Sequence, residues 1–248
     1  MIKLIKILVS NLNHYHKCDS KKVAKEIDNK NGLVTHIKKY LKNNKSILFI
    51  SADSREIEKN ELYSSLLFDA LKMSGIVFEK YNVLNDETKN NAEEFIKEAD
   101  LIFLSGGDTY NQNMFFKELN LKSLLKDYDG IIIGQSAGAL NMATNVFNSP
   151  EEMEDSEPIY FEGLGLTDLN IEPHFVLDSS SFNETEIYQR NYILKESKNR
   201  VIYALCDVSH ILLIEDKAIV YGEGYIIKNG LITKISENGS SYNICNNS

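Results

Sequence analysis

Ser136 stands in Gly134-Gln135-Ser136-Ala137-Gly138, a G-x-S-x-G segment. The apolar run Ile131-Ile132-Ile133 precedes it, and Ala139-Leu140-Asn141-Met142-Ala143 follows with helical character. Strand, G-x-S-x-G and helix in that order describe a nucleophile elbow. Its turn is so tight that the residues around the nucleophile must be small, as Gly134, Ala137 and Gly138 are. Ser136 would stand at a helix N-terminus, where free N–H groups and the helix dipole favour a developing anion. The bland alternative is an ordinary Gly/Ser turn.

A serine nucleophile needs a base, and the base needs an orienting acid. The chain has five histidines. His14, His16 and His36 lie in polar surroundings and are expected at the surface, and His210 precedes an apolar run. His174 follows Pro173 at the end of the alternating segment Asn170-Ile171-Glu172. Proline fixes the adjoining backbone, so this imidazole is the one a strand end would place reproducibly. A histidine bonded only to backbone at a strand terminus reads equally well from local sequence.

A second Gly-rich turn, Ser105-Gly106-Gly107-Asp108-Thr109, follows the apolar run Leu101–Leu104. Paired glycines let backbone N–H groups approach a substrate, and Asp108 or Thr109 suits the cap of the next helix. If both turns sit at neighbouring strand ends, Gly107 N–H and Ala137 N–H form an oxyanion hole.

These three segments, Ser105 to Thr109, Gly134 to Ala139 and Glu172-Pro173-His174-Phe175, occur in an order and spacing that resembles the serine peptidases related to aspartyl dipeptidase and cyanophycinase. That family has a class I glutamine-amidotransferase-like fold with serine in place of cysteine. The resemblance runs from about Ile47 to Ile227. It implies Ser136 as nucleophile, His174 as base, and Gly107 and Ala137 as oxyanion donors. The acid falls on Asp207, after Val201–Cys206. The dipeptidase carries Glu followed by Gly there, whereas Asp207 is followed by Val208-Ser209. Glu172 is a competing acid. Asp108 and Arg190 are the implied substrate-binding residues. Arg190 would meet an acidic side chain, and Glu186, an alternative occupant of that position, would oppose one.

The remaining sequence has to hold these groups in place. Short apolar runs at Ile5–Val9, Ser46–Ile50, Leu101–Leu104 and Ile131–Ile133 suit strands buried on both faces of a parallel sheet. Helical spacing covers 34–41, 62–73, 92–99 and 110–119, and Ile76–Tyr81 reads as a further strand. After residue 200 come short strands with turns at Glu215-Asp216 and Lys228-Asn229-Gly230, which signal antiparallel hairpins. The expected fold is α/β: one domain over 1–237, a mostly parallel sheet with helices on both faces, antiparallel strands toward the C-terminal edge, and a frayed polar tail over 238–248.

Composition narrows the function. Of 248 residues, 43% are hydrophobic and 25% charged, enough for a packed core. A net charge of −9 opposes broad nucleic-acid binding. Cys18, Cys206 and Cys245 are too far apart for a C-x-x-C pair. No signal peptide or membrane-length segment is read, so a cytoplasmic protein is expected. H-E-x-x-H, C-x-x-C and P-loop patterns are absent from the sequence, so neither a metal nor an organic cofactor is expected. The reading is a serine peptidase acting on a small peptide substrate, without nucleic acid or membrane as partner, and with room for a homodimer. Its competitors are a non-catalytic binding protein on the same fold and a cyanophycinase-like isopeptide hydrolase.

Overall fold

Alternate residues of the central strands point into two separate apolar layers. Ile131 and Ile133 enter one with Ile7, Phe49 and Phe103, while Ile132 enters the other with Leu8, Leu48 and Leu104. Only strands covered on both faces need to be apolar at every position, which explains the continuous runs in the sequence. The computed structural model describes residues 4–19, 21–150 and 159–244.

In chain order, β1 (Ile5–Val9) leads to a hairpin of β2 (Tyr15–Cys18) and β3 (Lys21–Ala24), then α1 (Leu33–Tyr40). Next come β4 (Ser46–Ile50), α2 (Ile57–Met73), β5 (Lys80–Leu84), α3 (Ala92–Glu98) and β6 (Leu101–Leu104). Then follow α4 (Thr109–Glu118), α5 (Leu121–Leu124), β7 (Ile131–Gln135) and α6 (Ala137–Leu140). β8 (Asn145–Phe147), β9 (Tyr160–Glu162), β10 (Asn170–Glu172) and α7 (Glu184–Glu196) complete the middle. The last part holds β11 (Ile202–Leu205), β12 (His210–Ile214), β13 (Lys217–Tyr221), β14 (Gly224–Lys228), β15 (Leu231–Ser236) and β16 (Ser241–Ile244).

The main sheet has eight strands in the order β16-β13-β12-β1-β7-β6-β4-β5. From β1 to β5 all neighbours are parallel; β12, β13 and β16 add antiparallel at the other edge. This is the α/β architecture read from the sequence. A second sheet, β10-β11-β14-β15, carries its own apolar cluster with Phe147, Phe175 and Ile193. Within it β10 and β11 are parallel neighbours, with Glu172 opposite Ala204.

Several expectations need correction. The strand placed at Ile76–Tyr81 begins at Lys80 instead. Ile76 and Phe78 are apolar because they plug the layer beside α2 from a loop. The polar tail is not frayed throughout, since Ser241–Ile244 pairs with β13 and buries Ile244. Asn238 and Gly239 are also tied down by Asn31, and residues 245–248, with Cys245, lie outside the described residues. His14 is buried, and His36 is half-buried against His210 and Tyr221. β11 belongs to the second sheet, between β10 and β14, while the turns at Glu215-Asp216 and Lys228-Asn229-Gly230 do join antiparallel pairs, β12 with β13 and β14 with β15. Among the described residues, no helix is long and apolar enough to cross a membrane, and no group of three or more His, Cys, Asp or Glu could hold a metal ion.

Candidate active site

Two pairs of parallel strands converge at their carboxyl ends, where ligands bind in open α/β sheets. β6 and β7 run side by side, with Leu104 opposite Gly134, and continue into Gly106-Gly107 and Ser136. β10 and β11 continue into His174 and Asp207.

Ser136 has φ 49° and ψ −112°, a conformation rare for a residue with a side chain. Its N–H donates to Val9 O at 2.9 Å, and its carbonyl accepts from Ala139 and Leu140 N–H at the start of α6. The two flanking glycines are required by contact. A Cβ on Gly134 would press on Gly138, and a Cβ on Gly138 would overlap the Leu104 carbonyl. We therefore expect Gly138→Ala to destabilise the fold by roughly 3 kcal/mol, the upper part of the usual overpacking range. Thermal unfolding should show a fall in Tm of about 6 °C or more; an unchanged Tm would mean that the elbow is looser than its contacts indicate.

His174 Nε2 lies 3.1 Å from Ser136 Oγ, and His174 Nδ1 lies 2.8 Å from Asp207 Oδ1. His174 also has positive φ, at 55°, and its N–H donates to Ser10 Oγ at 2.7 Å. Asp207 is fixed from the end of β1: Asn11 Nδ2 donates to its Oδ2 at 3.0 Å, and Ser10 Oγ donates to its Oδ1 at 3.4 Å. The bond from His174 keeps the Asp207 carboxyl below the ordinary carboxylate range, against the opposing effect of burial. Glu172, the competing acid, is buried and accepts from Ser149 Oγ at 3.1 Å.

The structure thus brings Ser136, His174 and Asp207 into one chain of hydrogen bonds, with Gly107 and Ala137 on the adjoining turns. Gly107, at φ 147°, would drive a Cβ into Ala52. Asp108 caps α4, its two oxygens accepting from Asn111 N and Nδ2 at 2.7 and 2.9 Å. Arg190, on α7, lies over the rings of Phe175 and Phe182 at 4.4 and 5.1 Å and donates to Val176 O. Glu186, its rival for that position, closes a capping box with Asn183 at the start of α7. Sequence reasoning missed Ser10 and Asn11. They belong to no motif, and only the antiparallel pairing of β1 with β12, continued by Ser10 N–H to Ser209 O and Val208 N–H to Asn11 O, brings them to Asp207.

Ser136, Gly107 and His174 line two cavities at once. One, of about 320 Å³, also contains Arg190, Glu172, Gln189 and Phe175. The other, of about 370 Å³, contains Tyr15, Tyr63, His14, Asp53 and Lys59. A reactive group between two such spaces suits a substrate that extends to both sides of the bond attacked.

An α/β sheet with a strained serine elbow hydrogen-bonded to a His–Asp pair is the arrangement of a serine hydrolase of the G-x-S-x-G type. The chain belongs to peptidase family S51, whose model matches residues 21–221. It is 31% identical over 138 residues to a Drosophila melanogaster protein named "Probable alpha-aspartyl dipeptidase", a match spanning 54% of this chain and 54% of that protein. Its fold is similar to the crystal structure of a peptidase from an acI-B1 Actinobacterium, with TM-score 0.69 and 19% identity over 98% of this chain and 97% of that one. A candidate peptidase E protein from Listeria monocytogenes EGD-e shares the fold with TM-score 0.58 and 19% identity, over 88% of this chain and 98% of that one.

Proposed function

We propose that this chain is a serine peptidase that cleaves short peptides after an acidic N-terminal residue. The observation that carries the reaction is the continuous bond chain from Ser136 Oγ through His174 to Asp207 Oδ1. His174 Nε2 takes the serine proton as Oγ attacks the carbonyl, then passes it to the departing amine. Asp207 holds Nδ1–H and stabilises the imidazolium. The N–H groups of Gly107 and Ala137 receive the oxyanion. Labelling with a fluorophosphonate tests the step directly: a single adduct on the Ser136 peptide is expected, and a non-catalytic binder would give none.

Arg190 carries the acyl-side specificity. Among the described residues it is the cation lining its cavity, held in a fixed plane by two aromatic faces, and planar guanidinium groups pair well with carboxylates. Glu172 and Glu186 line the same cavity: Glu186 is bonded to Asn183, while Glu172 accepts from Ser149 and its charge acts on Arg190, so an acidic substrate side chain would share Arg190 with it. The relative named as an aspartyl dipeptidase points the same way. Asp-X dipeptides should be cleaved with a kcat/KM at least roughly tenfold above Asn-X, and Arg190→Met should erase that ratio. Equal rates on Asp-X and Asn-X with the native enzyme would remove Arg190 from this role.

A further inference from the structure

The second cavity lies between the β2–β3 hairpin and the first turns of α2, and four aromatic rings, Tyr15, Phe49, Tyr63 and Phe103, stand among its polar lining residues. Phe49 and Phe103, stacked at 5.8 Å, are buried at its base. Tyr15, from the hairpin, and Tyr63, from α2, stand half-buried and edge to face, with centroids 5.9 Å apart and planes at 68°. Lys22 holds this pair in place: its Nζ donates to the Tyr63 hydroxyl and lies 4.2 Å from the Tyr63 ring and 5.3 Å from the Tyr15 ring.

The charged groups of the lining are of both signs. Asp108 is engaged in capping α4, and Asp53 and Lys59 are one of each charge. His14 is buried, packs edge-on to Tyr15 at 5.0 Å, and its Nδ1 has no hydrogen-bond partner among the described residues. Burial and nearby Lys25 push its pKa down to about 4, so the ring is neutral near pH 7.

From this geometry we infer that the cavity is the leaving-group subsite, and that Tyr15 and Tyr63 select peptides whose leaving residue is aromatic. The inference rests on the proposed function, which gives the Arg190 cavity to the acyl side and leaves this one for the residue beyond the scissile bond. Two rigid rings already set at an angle can take a third edge-on or offset-stacked with little further ordering. An apolar ring of phenylalanine size also gains by leaving water.

The test measures kcat/KM of the full chain on Asp-Phe, Asp-Leu, Asp-Ala, Asp-Lys and Asp-Asp. Asp-Phe should exceed Asp-Ala by on the order of 30-fold, and exceed Asp-Lys and Asp-Asp as well. In Tyr15→Ala and Tyr63→Ala the Phe/Ala ratio should fall to about threefold or less, while the Asp/Asn preference on the acyl side persists. Tyr15→Leu and Tyr63→Leu, which keep apolar bulk, should retain Leu cleavage and lose the aromatic advantage. A flat leaving-residue profile in the native enzyme overturns the inference whether or not the variants fold. A change in acyl preference instead of leaving preference overturns it too, by reversing the two cavities. Failure of the underlying reading looks different: Ser136→Ala would then retain turnover on every peptide, whatever the leaving-residue profile.

Discussion

Replacing Ser136 with Ala is expected to lower kcat by roughly 10⁵- to 10⁶-fold, the loss seen when the nucleophile of a serine peptidase is removed. Alanine fits the space that serine occupies, and the backbone bonds holding the elbow do not involve Oγ. Ser136 N–H donates to Val9 O, and the Ser136 carbonyl accepts from Ala139 and Leu140. The fold should therefore survive, with a Tm near that of the native chain. His174 Nε2 loses the oxygen 3.1 Å away and has no proton to take. The residual rate would come from the Gly107 and Ala137 donors and from substrate binding alone. The measurement is kcat on one cleavable dipeptide together with a thermal scan. A variant that folds and turns over within tenfold of the native enzyme would place the nucleophile elsewhere.

Legibility in the sequence followed how local the determinants are. β4, β6 and β7 were readable because a strand covered on both faces must be apolar at each position. The elbow was readable because its glycines answer contacts within a few residues, Gly134 against Gly138. Ile76 and Phe78 misled because burial alone does not make a strand; they fill the core from a loop. His14 and His36 were misread for the opposite reason. Their neighbours in sequence are polar, but His14 packs on Tyr15 and His36 lies against Tyr221 of β13, far along the chain. The tail failed in the same way, since β16 depends on β13 as a template.

The site divides along the same line. Ser136, His174 and Gly107 stand in segments with local reasons to be Gly-, Ser- or Pro-rich. Asp207 was reached only through the family resemblance, and its reasons are distant. β10 and β11 must lie parallel to bring it beside His174. The end of β1 must then supply Ser10 and Asn11, 197 and 196 residues away in sequence, to hold its carboxylate. No periodicity in a single sequence records such a pairing.

Asp207→Asn should lower kcat by about 10⁴-fold, the loss known for the equivalent change in another triad, and the hydrogen bonds around it give the reason. Asn11 Nδ2 and Ser10 Oγ both donate toward the Asp207 oxygens, and an ionised carboxylate accepts from both while also accepting His174 Nδ1–H. An asparagine has one oxygen to offer. If that oxygen faces the Asn11 donor, its NH₂ faces His174, Nδ1 must accept, and the proton moves to Nε2. Nε2 can then no longer take the proton of Ser136. Asp207→Glu keeps the charge, and should retain part of the activity where the backbone can shift by a methylene. Glu172→Gln should change kcat by less than tenfold, because Glu172 accepts from Ser149 Oγ and shares the cavity of Arg190. Its effect belongs in KM. Kinetics of these three variants on Asp-Phe decide the assignment. A large kcat loss for Glu172→Gln with a small one for Asp207→Asn would transfer the orienting role to Glu172, and the bond between His174 and Asp207 would then be structural only.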